Sequence, residues 1–124
     1  MEIKIIIPIK FSTNQIHNKH WTWRKERQDE IHAEVQTSVK EQKIKPIENY
    51  PIKITYHFFV KDKLLDITNL AGMCKVLEDG LRYCNIIEED NIKFVNEATI
   101  LEDRSDEKYS YCIMTLTSPN LLLD

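Results

Sequence analysis

Between Pro51 and Lys61 the chain alternates. Ile52, Ile54, Tyr56, Phe58 and Val60 point one way, and Lys53, Thr55, His57 and Lys61 point the other. Successive side chains of an extended chain face opposite sides, so this run reads as a half-buried strand. A sheet with one apolar face needs a cover, and two amphipathic stretches elsewhere in the chain can supply it.

Glu2 to Lys10 is rich in isoleucine, with Ile3, Ile5 and Ile7 on one face, and predicts a first strand. From His20 to Gln42 there is neither Gly nor Pro, and Ile31, Val35 and Val39 recur every four residues, which predicts a long amphipathic helix. Its first turns mix aromatics with cations: Trp21, Trp23, Arg24, Lys25 and Arg27. Pro46 and Pro51 bound a connection. A second helix is predicted over residues 69–84, where Leu70, Cys74, Leu77, Leu81 and Cys84 form an apolar stripe. At about 100° per residue, Thr68, Gly72, Lys75 and Asp79 gather within roughly 60° on the opposite side. Thr68 or Asp66 would cap that helix. Ile92–Leu101 and Lys108–Thr117 read as two further strands, joined by a hairpin connection over Glu102–Glu107. The tail from Pro119 ends in Leu121, Leu122 and Leu123, suited to packing on the core or on a second subunit. The expectation is a single α+β domain over residues 1–124, in the order β-α-β-α-β-β. It has a mixed sheet of about four strands with two helices packed on it.

No stretch approaches the ~20 apolar residues of a membrane span, and the start lacks the layout of a signal peptide. Cys74, Cys84 and Cys112 show no Cys-x-x-Cys spacing and read as reduced core residues of a cytoplasmic protein. The net charge of −3 argues against a generic nucleic-acid binder, but it is unevenly placed. Residues 1–63 hold 12 Lys+Arg against 8 Asp+Glu, whereas residues 64–124 hold 5 against 12. A basic half can meet phosphates while an acidic half, loaded with metal, does chemistry on them.

The acidic half concentrates Asp66, Asp79, Glu88, Glu89 and Asp90 around the second helix. Carboxylates gather only where a cation or a proton holds them, and a hard divalent ion such as Mg²⁺ suits such a cluster. Phosphodiester hydrolysis needs an activated water, relief of charge on phosphorus and support for the leaving oxygen, which metal ions supply. A lysine such as Lys75 adds further neutralisation. Geometry sets a condition. A helix of about fifteen residues spans ~22 Å, so Asp90 returns to Asp66 within one subunit only if residues 85–90 run back nearly extended. Otherwise a dimer must bring the two ends together.

Asp66-Ile67-Thr68-Asn69-Leu70, then Lys75, Asp79-Gly80-Leu81 and Glu89-Asp90 resemble the signature of the RusA family of Holliday-junction resolvases. Asn14 to Arg24, with His20, Trp21 and Arg24, is similar to that family's N-terminal segment. The resemblance runs over nearly the whole chain and implies a homodimeric, Mg²⁺-dependent endodeoxyribonuclease, with Mn²⁺ as a substitute ion. Such an enzyme nicks four-way DNA at paired positions in recombination and repair, often in a phage or prophage setting. Carried over, Asp66 and Asp90 would be catalytic metal ligands, Glu89 an assisting ligand and Lys75 the catalytic lysine. In members with shorter spacing the lysine would fall at Gly72. Thr68 is a departure: it stands where the family pattern has a second aspartate. A neutral hydroxyl weakens Mg²⁺ binding, so a RusA-like protein that binds branched DNA without cutting it is the alternative expectation.

Each of these residues also has a plainer role. Asp66 serves as an N-cap, Lys75 and Asp79 as an exposed pair four residues apart, and Glu88-Glu89-Asp90 as a solvated turn. His20, Trp21, Arg24 and Lys25 would line the DNA path, or else start a helix with one indole in the core. His17, His32 and His57 show no metal-binding arrangement.

Overall fold

The computed structural model describes residues 1–7, 21–61, 67–89 and 91–119, apart from the side chains of 21–24 and 67–69. The elements are β1 (Glu2–Ile7), α1 (Trp21–Glu41), β2 (Ile52–Val60), α2 (Ile67–Tyr83), β3 (Val95–Arg104) and β4 (Ser110–Thr117). The fold is α+β as expected: two helices on one mixed four-stranded sheet, in the order β-α-β-α-β-β.

In space the strands run β1-β4-β2-β3. β4 is antiparallel to both β1 and β2, while β2 and β3 are parallel. A parallel pair needs a crossover rather than a tight turn, and α2 provides it. The predicted hairpin over Glu102–Glu107 therefore does not form, because β3 and β4 flank β2 on opposite sides. β3 also lies three residues later than expected. Asn91 Oδ1 accepts the Lys93 N–H at 3.0 Å, and the Asn91 carbonyl accepts those of Phe94 and Val95 at 2.9 Å, so the chain turns before it extends. At the other end β2 pairs as far as Val60↔Arg104, which makes Glu102, Asp103 and Arg104 strand residues. Local alternation does not distinguish a parallel neighbour from a hairpin partner.

The inner face carries Ile3, Ile5 and Ile7 of β1, Ile52 to Val60 at alternate positions of β2, and Cys112, Met114 and Leu116 of β4. Against them pack Ile31 and Val35 of α1 and Leu70, Met73, Leu77 and Leu81 of α2. Each such side chain contributes roughly 1.5–3 kcal/mol of burial. α1 packs on α2 and β1, and α2 on β3. The stripe predicted for α2 is buried through Leu81, with Cys84 half-buried and Met73 and Val76 widening it.

Both helices stop in the same way. After α1, the Ile44 N–H donates to the Val39 carbonyl at 3.0 Å and Lys43 to Lys40 at 3.2 Å, with Lys43 at φ 55°. After α2, Ile86 donates to Leu81 at 2.9 Å and Asn85 to Arg82 at 3.0 Å, with Asn85 at φ 60°. These are Schellman closures, in which a left-handed residue lets two N–H groups satisfy the last carbonyls. Asn tolerates that conformation well and Lys does so less readily. Ile86 and Leu81 are both buried at the second closure.

Gly80 marks the tightest helix contact. A Cβ there would meet Cγ2, Cβ and Cγ1 of Val35 at 3.0, 3.1 and 3.2 Å. The glycine lets α1 lie close against α2.

Candidate functional site

The outer side of α2 carries an ionic chain. Lys75 Nζ is 3.1 Å from Asp79 Oδ1, Arg82 Nη2 is 3.4 Å from the same oxygen, and Arg82 Nη1 is 3.8 Å from Glu89 Oε2. Helical spacing explains the first two contacts, since residues three and four apart share a face. The third comes from the chain after α2, which turns at Asn85 instead of running on. Lys75 is 59% exposed and Asp79 21%, so their pairing is a surface one and contributes little to stability.

The chain beyond α2 is held at that end of the helix. Ile86 and Ile87 are buried, the Ile47 N–H donates to the Ile86 carbonyl at 2.8 Å, and the Glu88 N–H donates to the Tyr50 hydroxyl at 3.1 Å. Residues 85–89 thus do not run back along α2. Glu89 sits beside Arg82, fifteen residues along one continuous helix from Ile67, a separation of ~22 Å at 1.5 Å per residue. The strands agree. The Ile52 N–H donates to Phe94 and the Ser105 N–H to Val60, so residues 91–95 lie at the start of β2 and Ser105 at its end.

Asp66, Asp90 and His20 lie outside the described residues, as do the side chains of Trp21, Arg24 and Thr68. Ile67 opens α2, which places Thr68 inside the first helical turn and not at its cap. Glu89, the neighbour of Asp90, lies at the other end. Among the described residues no group of three or more His, Cys, Asp or Glu side chains is arranged to hold a metal ion.

α1 runs beside α2 in the same direction, since His32 meets the Val76 backbone and Val35 meets Gly80. The aromatic and basic first turns of α1 therefore share an end of the molecule with Ile67. Lys25 there pairs with Asp29 at 3.2 Å on the surface. His32 lies in the cleft between the helices, edge-on to Tyr83 with ring centroids 5.1 Å apart, and its buried Nε2 has no hydrogen-bond partner. Burial pushes its pKa below the usual histidine value, against the opposing pull of Asp79 and the Val76 backbone.

Sequence reasoning passed over a second constellation, on the sheet face that the helices leave open. Lys4 Nζ stands 4.4 Å from the Tyr111 ring centroid, Tyr111 stacks on Phe59 at 4.7 Å, and Phe59 stacks on His57 at 4.2 Å. His57 Nε2 is in turn 2.7 Å from Asp103 Oδ2. The row crosses all four strands. Because the rings stand upright against one another, their faces are already covered, and the row works as a cross-strand brace. The presence of Phe59 among the polar positions of β2 was the available signal.

The thiols are free, and Cys74 and Cys112 are buried. Burial pushes Cys74 up to about 12 and Cys112 well above its ordinary value. No helix among the described residues is long and apolar enough to cross a membrane.

No family model matches the chain, and no curated protein matches it.

Proposed function

We propose that this chain is one subunit of a homodimeric, Mg²⁺-dependent endodeoxyribonuclease that nicks four-way DNA, with each cleavage centre composed from both subunits. The observation that supports this reading is the separation along α2 of Ile67, which follows Asp66 in sequence, from the Arg82–Glu89 contact, ~22 Å away. One ion cannot bridge that distance. Two copies related by a two-fold axis perpendicular to α2 can close it, because such an axis sets the start of one α2 against the end of the other. In this reading Asp66 of one subunit and Asp90 of its partner hold Mg²⁺, or Mn²⁺ in its place, with Glu89 assisting. Lys75 faces the substrate phosphate, and His20, Trp21, Arg24 and Lys25 contact DNA at the same end as Ile67. Two centres per dimer suit a symmetric junction that needs paired nicks.

Mixed dimers test it. Asp66→Asn and Asp90→Asn chains are each expected to be inactive on a labelled synthetic junction. Co-folded, they form hybrids with one intact centre, so single-strand nicking returns. A mixture as inactive as its parents, beside an active wild type, would show that the centre is not shared.

Thr68, a neutral hydroxyl where the resemblance has an aspartate, favours a second reading, in which the chain binds branched DNA without cutting it. Salt-sensitive junction binding with no cleavage in Mg²⁺ or Mn²⁺, and cleavage gained on Thr68→Asp, distinguishes that reading from the first.

A further inference from the structure

The two edges of the sheet are finished differently. At β1, the Gln42 side chain lies along the edge like a short piece of strand. Its Oε1 accepts the Lys4 N–H at 3.0 Å, and its Nε2 donates to the Lys4 carbonyl at 2.7 Å. That edge is closed to a further strand. Among the described residues β3, ten residues long, has no such plug and pairs only with β2. It is also the least covered strand: only Val95 and Ile100 pack partly on the core, while Asn96 to Thr99 are exposed and Leu101 is 43% exposed.

Edge strands are usually protected by charge, proline or a bulge. In β3 two of the acidic side chains turn back onto β2: Glu97 Oε1 lies 3.7 Å from Lys53 Nζ, and Asp103 Oδ2 lies 2.7 Å from His57 Nε2. Between them runs the uncharged stretch Ala98-Thr99-Ile100-Leu101, with no proline. Such an edge accepts another strand.

We propose that two copies of this chain associate through β3, which pairs antiparallel with the β3 of a second copy about Thr99. A second copy suits this edge by symmetry and by charge. A two-fold axis normal to the sheet keeps the helices of both copies on one side, so residues opposed across the seam must share a face and differ by an even number of positions. Centred on Thr99, the register sets Ala98 opposite Ile100, Glu97 opposite Leu101 and Asn96 opposite Glu102 of the second copy, with no like charges opposed. Centred on Ile100, it would set Glu97 against Asp103. α2 is the helix beside β3, so the same axis lays two α2 helices side by side and antiparallel. The start of each helix then meets the end of the other. This last consequence rests on the composite-centre reading above, whereas the seam itself does not.

Position 99 gives a direct test on the full chain. Thr99 is exposed, so Thr99→Asp and Thr99→Lys leave the fold intact, which an unchanged circular dichroism spectrum checks. Each variant opposes two like charges at the axis and is expected to sediment as a monomer, while the wild type sediments as a dimer and an equimolar mixture of the variants recovers the dimer. Thr99→Cys is expected to form an intermolecular disulfide on oxidation, since directly opposed residues sit ~4.5–5.5 Å apart. Ala98→Cys, diagonal to its own copy at ~7–8 Å, is not. A monomeric wild type, a Thr99→Asp variant that stays dimeric, or a Thr99→Cys variant that fails to link overturns the seam. Linking at Thr99 in a protein that never cuts junctions would leave the seam standing and remove the nuclease reading.

Discussion

Gly80→Ala probes the seam between the helices, and its outcome can be worked from the coordinates. The added methyl would sit 3.0, 3.1 and 3.2 Å from Val35 Cγ2, Cβ and Cγ1. Val35 is β-branched, buried and held to one preferred rotamer in a helix, so rotation cannot clear all three atoms, its own Cβ included. The helices must part by several tenths of an ångström. Overpacking of this kind costs about 1–3 kcal/mol. Against it stands the gain from replacing a helical glycine by alanine, about 1 kcal/mol. The net expectation is a loss of about 1 kcal/mol, or a fall in melting temperature of roughly 4 °C for a domain of this size. Urea unfolding with an unchanged slope measures it. The partner variant Val35→Ala opens space at the same point, so the double variant should be more stable than the sum of the single effects predicts, by about 1 kcal/mol. A Gly80→Ala protein as stable as wild type, or strictly additive single variants, would refute the argument that close helix approach selects glycine here.

Two further outcomes follow from buried titratable groups. His32 has a folded pKa below its unfolded value, so its neutral form favours the fold; that contribution is present above about pH 6.5 and is lost as pH falls through the folded pKa. Stability of the wild type should therefore decline more steeply below pH 6.5 than that of His32→Leu, as chemical denaturation at a series of pH values would show. The thiols predict a labelling pattern: with Cys74 pushed up to about 12 and Cys112 held well above its ordinary value, both by burial, an aromatic disulfide reagent near neutral pH should leave both unmodified in the native state. Half-buried Cys84 should react slowly, and all three cysteines should react in denaturant. Rapid native labelling of Cys74 or Cys112 would count against their burial.

Local pattern determined which segments become helix or strand and which side of each is buried. Period-two alternation marked the inner face of β2, isoleucines at odd positions marked that of β1, and heptad-like spacing marked that of α2. These follow from backbone geometry, which a short window of residues already expresses. The predicted end of the second helix at residue 84 agrees with a stop at Asn85, whose side chain tolerates the left-handed turn.

Only tertiary structure decided who neighbours whom. β3 lies beside β2 instead of β4 because the crossover through α2 delivers it to the free edge, and residues more than 40 apart in sequence set that pairing. Lys43 closes α1 in a conformation that its residue type does not advertise. The largest effect falls on the acidic residues. Along the chain Asp66 and Glu89-Asp90 form one cluster, yet a rigid helix between Ile67 and Tyr83 holds their neighbours ~22 Å apart, because hydrogen-bonded backbone rises by a fixed amount per residue. Proximity in sequence became distance in space.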